Sequence, residues 1–170
     1  GESKIVRFRD SQPVCGVYMY SVHDGKRWNK VTQPVEDDLF AQNGRRPAFY
    51  LIYELLDREG YTSKKDGKKY KDIPKFWLVP EAVHKQLQYI HTKRGSIADV
   101  DFEVHREGFK RPAYTLTEDR SLPALSAAAK SQPLLSKDVA KYFMPPTIGE
   151  QRRLLSLTTD ADNAAEQSQE

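Results

Sequence analysis

The 170-residue chain carries 27 Lys and Arg against 24 Asp and Glu, a formal net charge of +3, with 38% hydrophobic and 11% aromatic residues. That length suits one domain with a core and an appendage rather than two full domains, and so small a net charge argues for no particular partner by itself. Cys15 stands alone, which excludes an intramolecular disulfide and a cysteine-based structural zinc site and suits a reducing interior; no signal peptide and no apolar run of membrane-spanning length is visible.

The first residue is Gly1 rather than Met, as expected of a trimmed chain. Residues 4–9, KIVRFR, alternate, with Val6 and Phe8 on one side and Arg7 and Arg9 on the other, and predict a first strand with a basic outer face. VCGVYMYS follows Pro13 as a second strand. With Cys15, Val17 and Met19 inward, Tyr18 and Tyr20 face out; the opposite phase stays open because both sets are apolar. Residues 23–47 read as a long loop broken by Gly25, Pro34, Asn43, Gly44 and Pro47 and decorated by Lys26, Arg27, Trp28, Lys30, Arg45 and Arg46. Trp28 is there either an exposed ring with a task or a lid folded back on the core.

AFYLIYELLD, residues 48–57, predicts a strand, although periodicity alone leaves a short helix open. Placing Glu54 in solvent puts Tyr50 and Ile52 outside and Phe49, Leu51 and Tyr53 inside. Next, Lys64, Lys65, Lys68, Lys69 and Lys71 surround Asp66-Gly67, a favoured hairpin dipeptide, with Tyr61 and Tyr70 as brackets. A solvated tip is the plain reading of such a run; a strand-tracking surface of cations and rings is the other. IPKFWLV, residues 73–79, predicts a strand in which outward Lys75 sets Trp77 outside and Phe76 and Leu78 in the core.

Pro80 and Glu81 open a helix whose Val83, Leu87 and Ile90 form one apolar stripe, with Lys85, Gln88 and His91 toward water and Gly95 as the stop. VDFEVHR then alternates, Val100, Phe102 and Val104 against Asp101, Glu103 and His105, and FKRPAYTLTE at 109–118 supplies a closing strand. After Leu125 come a linker and two short helical segments, SKDVAKYF and TIGEQRRLLSL, divided by Pro145-Pro146. The last thirteen residues hold Asp160, Asp162, Glu166 and Glu170 and no base.

A lone helix among strands is the layout of an OB barrel. The expected fold is therefore mainly β: a five-stranded OB-fold barrel over residues 4–125, with one helix between its third and fourth strands. A linker and short helices over 126–157 form a C-terminal helical extension, followed by a mobile acidic tail over 158–170.

No catalytic set emerges. His84 and His91 lie two helical turns apart, too far to share a metal, and no HExxH, phosphate-loop or GxGxxG pattern is present. Asp99, Asp101 and Glu103 form an acidic strip that, with Glu54 or Asp57, could hold a divalent ion for nuclease chemistry; a charged outer strand face explains them equally. Cys15 reads as an inert core thiol. No catalytic residue, metal or cofactor is expected.

Binding fits better, because single strands expose both phosphates and base faces. The stacking candidates are Tyr18, Tyr20, Trp28, Tyr50 and Trp77. The phosphate candidates are Arg7, Arg9, Lys26, Arg27, Arg45, Arg46, Lys64, Lys65, Lys68, Lys69, Lys71 and Lys75. Stacking and phosphate contacts serve DNA and RNA alike. An OB-type adaptor that grips another protein through TIGEQRRLLSL is the alternative from a different class.

The runs RPAFYLIYELLDREG, KFWLVPEAVHKQLQYIHTKRGSIADVDFEVHREG and PAYTLTED resemble the core of bacteriophage single-stranded DNA-binding proteins of the T4-like helix-destabilising type, over about residues 4–125. The resemblance implies an OB fold, sequence-tolerant binding of single-stranded DNA in phage replication, recombination and repair, and a place in the host-cell cytoplasm. It also implies contacts with replication or recombination proteins through the acidic tail. Relatives of that type carry a Cys/His zinc site in the long loop; this loop has His23 and no cysteine, so zinc is not expected. Their basic N-terminal arm, which serves cooperative binding, is missing or trimmed in this sequence.

Overall fold

The computed structural model describes residues 1–108 and 111–169. Phe109 and Lys110, assigned above to the start of the closing strand, and Glu170 of the tail lie outside the described residues. The elements in chain order are β1 (Glu2–Phe8), β2 (Cys15–His23), β3 (Trp28–Thr32), α1 (Leu39–Gln42), β4 (Ala48–Asp57), β5 (Tyr61–Thr62), β6 (Lys69–Tyr70) and β7 (Ile73–Pro80). Then follow α2 (Glu81–Arg94), β8 (Asp101–Glu107), β9 (Ala113–Asp119), α3 (Ala127–Lys130), a 3-10 turn (Leu135–Asp138), α4 (Val139–Tyr142) and α5 (Ile148–Gln167). The chain is mainly β, with an antiparallel sheet and a C-terminal helix.

It divides into two compact units, Gly1–Cys15 with Leu51–Lys137, and Gly16–Tyr50 with Asp138–Glu170. This division cuts across the expected 4–125 domain, because residues 16–50 share their core with the C-terminal segment. β4 gives its first residues to one unit and the rest to the other.

In the first unit the strand order is β4-β1-β8-β9, with β7 also on β4. The register sets Val6 opposite Asp57 and Phe102, Lys4 opposite Val104, and Arg106 opposite both Glu2 and Tyr114. Among the described residues no pairing joins β7 to β9, so the sheet is not closed into a barrel. Val6, Phe8, Tyr53, Val79, Phe102 and Val104 form its core with Val83 and Leu87 of α2. The helix starts with Glu81 in its first turn and stops at Gly95, whose φ of 83° is left-handed and whose N–H donates to the His91 carbonyl at 2.7 Å.

β4 departs from the expected alternation. From Ile52 to Asp57 every residue is buried, Glu54 included. The Arg9 guanidinium at 3.5 Å and the Ser136 N–H at 2.6 Å cover the Glu54 carboxylate, so the second face is sealed by an ion pair and a loop rather than exposed to water.

In the second unit β2 and β3 form a hairpin, with Tyr20, Val22 and Phe40 packed against Leu154 of α5. α5 is capped by Thr147, whose side chain accepts the Glu150 N–H. It is fastened by side chains: Gln151 Oε1 accepts the Leu39 N–H at 2.9 Å and Thr158 Oγ1 accepts the His23 N–H at 2.9 Å. Residues 158–167 are thus helical, where a mobile tail was expected.

Candidate nucleic-acid interface

The expected long loop over 23–47 contains β3, and this strand builds the most favourable surface of the second unit. The β2–β3 turn is organised by Asp24, which accepts from the Arg27 N–H at 2.9 Å, the Lys26 N–H at 2.8 Å and Asn29 Nδ2 at 2.6 Å. The amides of Arg27 and Lys26 hold its carboxyl down to about 2. Gly25 takes the left-handed φ of 94° that the turn requires. Lys26 and Arg27 project into solvent from this fixed turn.

Beyond the turn Trp28 sits opposite His23, and Lys30 opposite Ser21. Alternation puts these four side chains on one face. Trp28 is 49% exposed and meets the His23 ring edge-on at 5.5 Å, while the Lys30 ammonium lies 4.8 Å over the Tyr50 ring. Lys30 thus lies between the Trp28–His23 ring pair and the Tyr50 ring, and the reverse of this face carries Tyr20, Val22 and Val31 into the core.

That reverse face corrects one expectation. Tyr20 is 1% exposed and donates to Asp38 at 2.7 Å; burial and the Asp38 carboxylate push its hydroxyl up to about 12. It offers no face for stacking. Tyr18 remains exposed at 53%, in contact with Phe49 at 5.0 Å. Arg45 is paired with Asp162 at 3.0 Å, and Arg46 is exposed.

The first unit carries a second basic surface, the β5–β6 hairpin. Tyr61 and Tyr70 pair across it and stack at 5.5 Å, 55% and 40% exposed. Gly60 permits the turn into it, since a Cβ there would lie 1.8 Å from the Tyr70 carbonyl oxygen. At the tip Asp66 accepts the Lys68 N–H at 3.0 Å and the Tyr70 hydroxyl at 3.2 Å. Lys64, Lys65, Lys68, Lys69 and Lys71 are exposed, and none has an acidic partner within ion-pair distance among the described residues. Tyr61 and Tyr70 entered the sequence reading only as brackets; their exposure adds them to the candidates for stacking.

The remaining candidates of the first unit are engaged in ion pairs or packing. Arg7 donates to Asp101 at 2.8 Å, and Arg9, its side chain 8% exposed, pairs with Glu54. Neither lies on an outer basic face. Arg58, which the sequence reading did not single out, bridges Asp101 and Asp72, and lies 2.7 Å from the latter. Burial would lower its pKa, but the two carboxylates outweigh that and raise it. Lys75 holds Asp57 at 2.6 Å. Trp77, expected outside, is half-buried against Phe8 at 6.2 Å and Tyr114 at 5.6 Å, because β7 turns that face toward the core.

These pairs also engage two of the three members of the acidic strip, Asp99 and Asp101, and both of its suggested partners. Asp101, Glu54 and Asp57 are engaged by Arg and Lys, Asp99 by Arg94 at 3.2 Å, and among the described residues no three His, Cys, Asp or Glu come together as a metal site. Leu154 and Leu155 of TIGEQRRLLSL pack into the second core, while Ile148 of the same segment is exposed. Cys15 is exposed rather than a core thiol. Among the described residues no helix is long and apolar enough to cross a membrane. No protein-family model, curated protein or solved structure matches this chain.

Proposed function

We propose that this chain is a non-enzymatic, sequence-tolerant binder of single-stranded DNA, of the kind that coats strands during phage replication, recombination and repair. The observation that carries the reading is the exposed face of β2 and β3, where the Trp28 ring lies beside Lys30, next to Lys26 and Arg27, and Lys30 reaches over the half-exposed Tyr50 ring of β4. Rings of this kind accept any base by stacking, at about 1–3 kcal/mol per base. The cations neutralise phosphates and release counterions. The lysine hairpin adds a second phosphate-binding surface with its own stacked tyrosines.

The strand order of the first unit supports an OB-type architecture. β1 is flanked by β4 and β8, β7 lies on β4, β9 on β8, and α2 connects β7 to β8. We read this order as an OB-type arrangement, with the helix between its third and fourth strands. The Trp77–Tyr114 contact bridges the seam where hydrogen bonds would close the barrel. In this reading the carboxylates of α5 that face solvent serve as contacts for basic replication or recombination proteins.

The test is a competition titration of single-stranded DNA, duplex DNA and single-stranded RNA at two salt concentrations. The reading expects tightest binding to single-stranded DNA, with log affinity falling against log salt by about 0.7 for each phosphate neutralised. Absence of binding at low salt contradicts it.

A further inference from the structure

The inner face of the first unit's sheet changes character along its length. Cross-strand register places Glu2, Lys4 and Val6 of β1 on the same face as Val104 and Arg106 of β8 and Tyr114 of β9. Asp57 follows Leu55 on the inner face of β4, and Lys75 precedes Trp77 on β7. Each of these strands except β9 thus continues its core-facing row into an ionic residue. Together they line a cleft of about 280 Å³ beside the seam between β7 and β9.

The cleft has an apolar floor of Val6, Leu55 and Val104 and aromatic walls from Trp77 and Tyr114, whose rings meet edge-on at 5.6 Å. Asp57 lies between Lys75 at 2.6 Å and Lys4 at 3.8 Å and accepts the Gly60 N–H at 2.9 Å. One carboxylate between two ammonium groups leaves a positive charge in excess. Arg106 adds another, with no acidic partner within ion-pair distance among the described residues; Glu2 is the opposing charge at the rim. A ligand that satisfies both parts needs a flat apolar body and an anion.

We propose that this cleft is a site for one nucleoside monophosphate, the base against Trp77 and Tyr114 and the phosphate on Lys4, Lys75 and Arg106. The inference rests on the single-strand-binding reading for its ligand class, and it concerns a nucleotide with a free terminus rather than the interior of a strand. The same chemistry is offered by a free nucleotide and by the 5′-phosphorylated end of a strand.

The full chain is titrated calorimetrically with thymidine monophosphate, thymidine and inorganic phosphate, and then with 5′-phosphorylated, 5′-hydroxyl and circular single-stranded DNA. Thymidine monophosphate is expected to bind at least about tenfold more tightly than thymidine or phosphate, since neither fragment makes both the ring and the charged contacts. Arg106→Gln should abolish that preference while circular DNA binds as before. A preference for 5′-phosphorylated over 5′-hydroxyl strands identifies the strand end as the source; its absence, with thymidine monophosphate still preferred, identifies the free nucleotide. Equal binding of the three small molecules by the wild-type chain overturns the proposal. If circular DNA binds while thymidine monophosphate does not, the cleft inference fails alone; if circular DNA does not bind, the function proposed above fails.

Discussion

Trp28 in the second unit and Trp77 in the first are the same residue in similar strands, each two positions from a lysine, yet they have opposite fates. Around Trp77 the sheet supplies Phe8 and Tyr114, and Lys75 is drawn onto Asp57. Trp28 meets the edge of the His23 ring, and Lys30 lies over Tyr50 instead of on a carboxylate. The difference shows that the same pairing of an aromatic with a cation is drawn into packing and an ion pair in one unit and left on an exposed face in the other. The arginines repeat the contrast: Arg7, Arg9 and Arg58 are bound to acids in the first unit, whereas Arg27 and Arg46 of the second reach solvent.

The largest expected effect probes the structural side of that contrast. Asp101→Ala leaves the buried Arg58 and the neighbouring Arg7 without their shared carboxylate and should cost about 3–5 kcal/mol in urea unfolding. Trp77→Ala should cost a similar 3–5 kcal/mol or so, as removal of a packed ring does. Trp28→Ala should instead change stability by no more than about 0.5 kcal/mol, as an exposed substitution. It should weaken single-strand affinity by about 1–3 kcal/mol. A Trp28→Ala protein that unfolds easily but binds normally would reverse the assignment of the two rings.

Replacing Lys64, Lys65, Lys68 and Lys69 by Gln should leave unfolding unchanged and flatten the salt dependence of binding by about 0.7 for each phosphate that is no longer neutralised. The smallest effect concerns the turn that presents Lys26 and Arg27. Asp24 is held below its ordinary value, so its contribution is complete above pH 3.8 and is lost as pH falls toward about 2. Acid titration of Trp28 emission should show a step in that window, and Asp24→Ala should remove it.

Much of the first unit was legible because its patterns are local. The Val83–Leu87 stripe and Gly95 bounded α2, and the alternation of Val100, Phe102 and Val104 placed β8. The partners of Arg7 and Arg9 were not legible, since Asp101 lies 94 residues from Arg7 and nothing local marks such a pairing. β4 misled for the same reason: Glu54 looked like a solvent marker, but Arg9 and the Ser136 amide bury it. β3 was hidden by the Gly and Pro residues around it, which signalled loop while WNKVT formed an edge strand. Of the candidate site, Trp28, Tyr50 and the lysine tip were singled out as residue types and lie at or near the surface; Tyr20 was lost to the core because two apolar phases of β2 cannot be told apart without α5.

Trp77→Phe keeps a ring in the first core and leaves Trp28 as the sole indole. Titrating that variant with oligo-dT at low and then higher salt asks the central question directly. The account predicts strong quenching of Trp28 emission that saturates with oligonucleotide and is released as salt rises. Emission that stays constant while the oligonucleotide is shown to bind, or no binding at low salt, would contradict it.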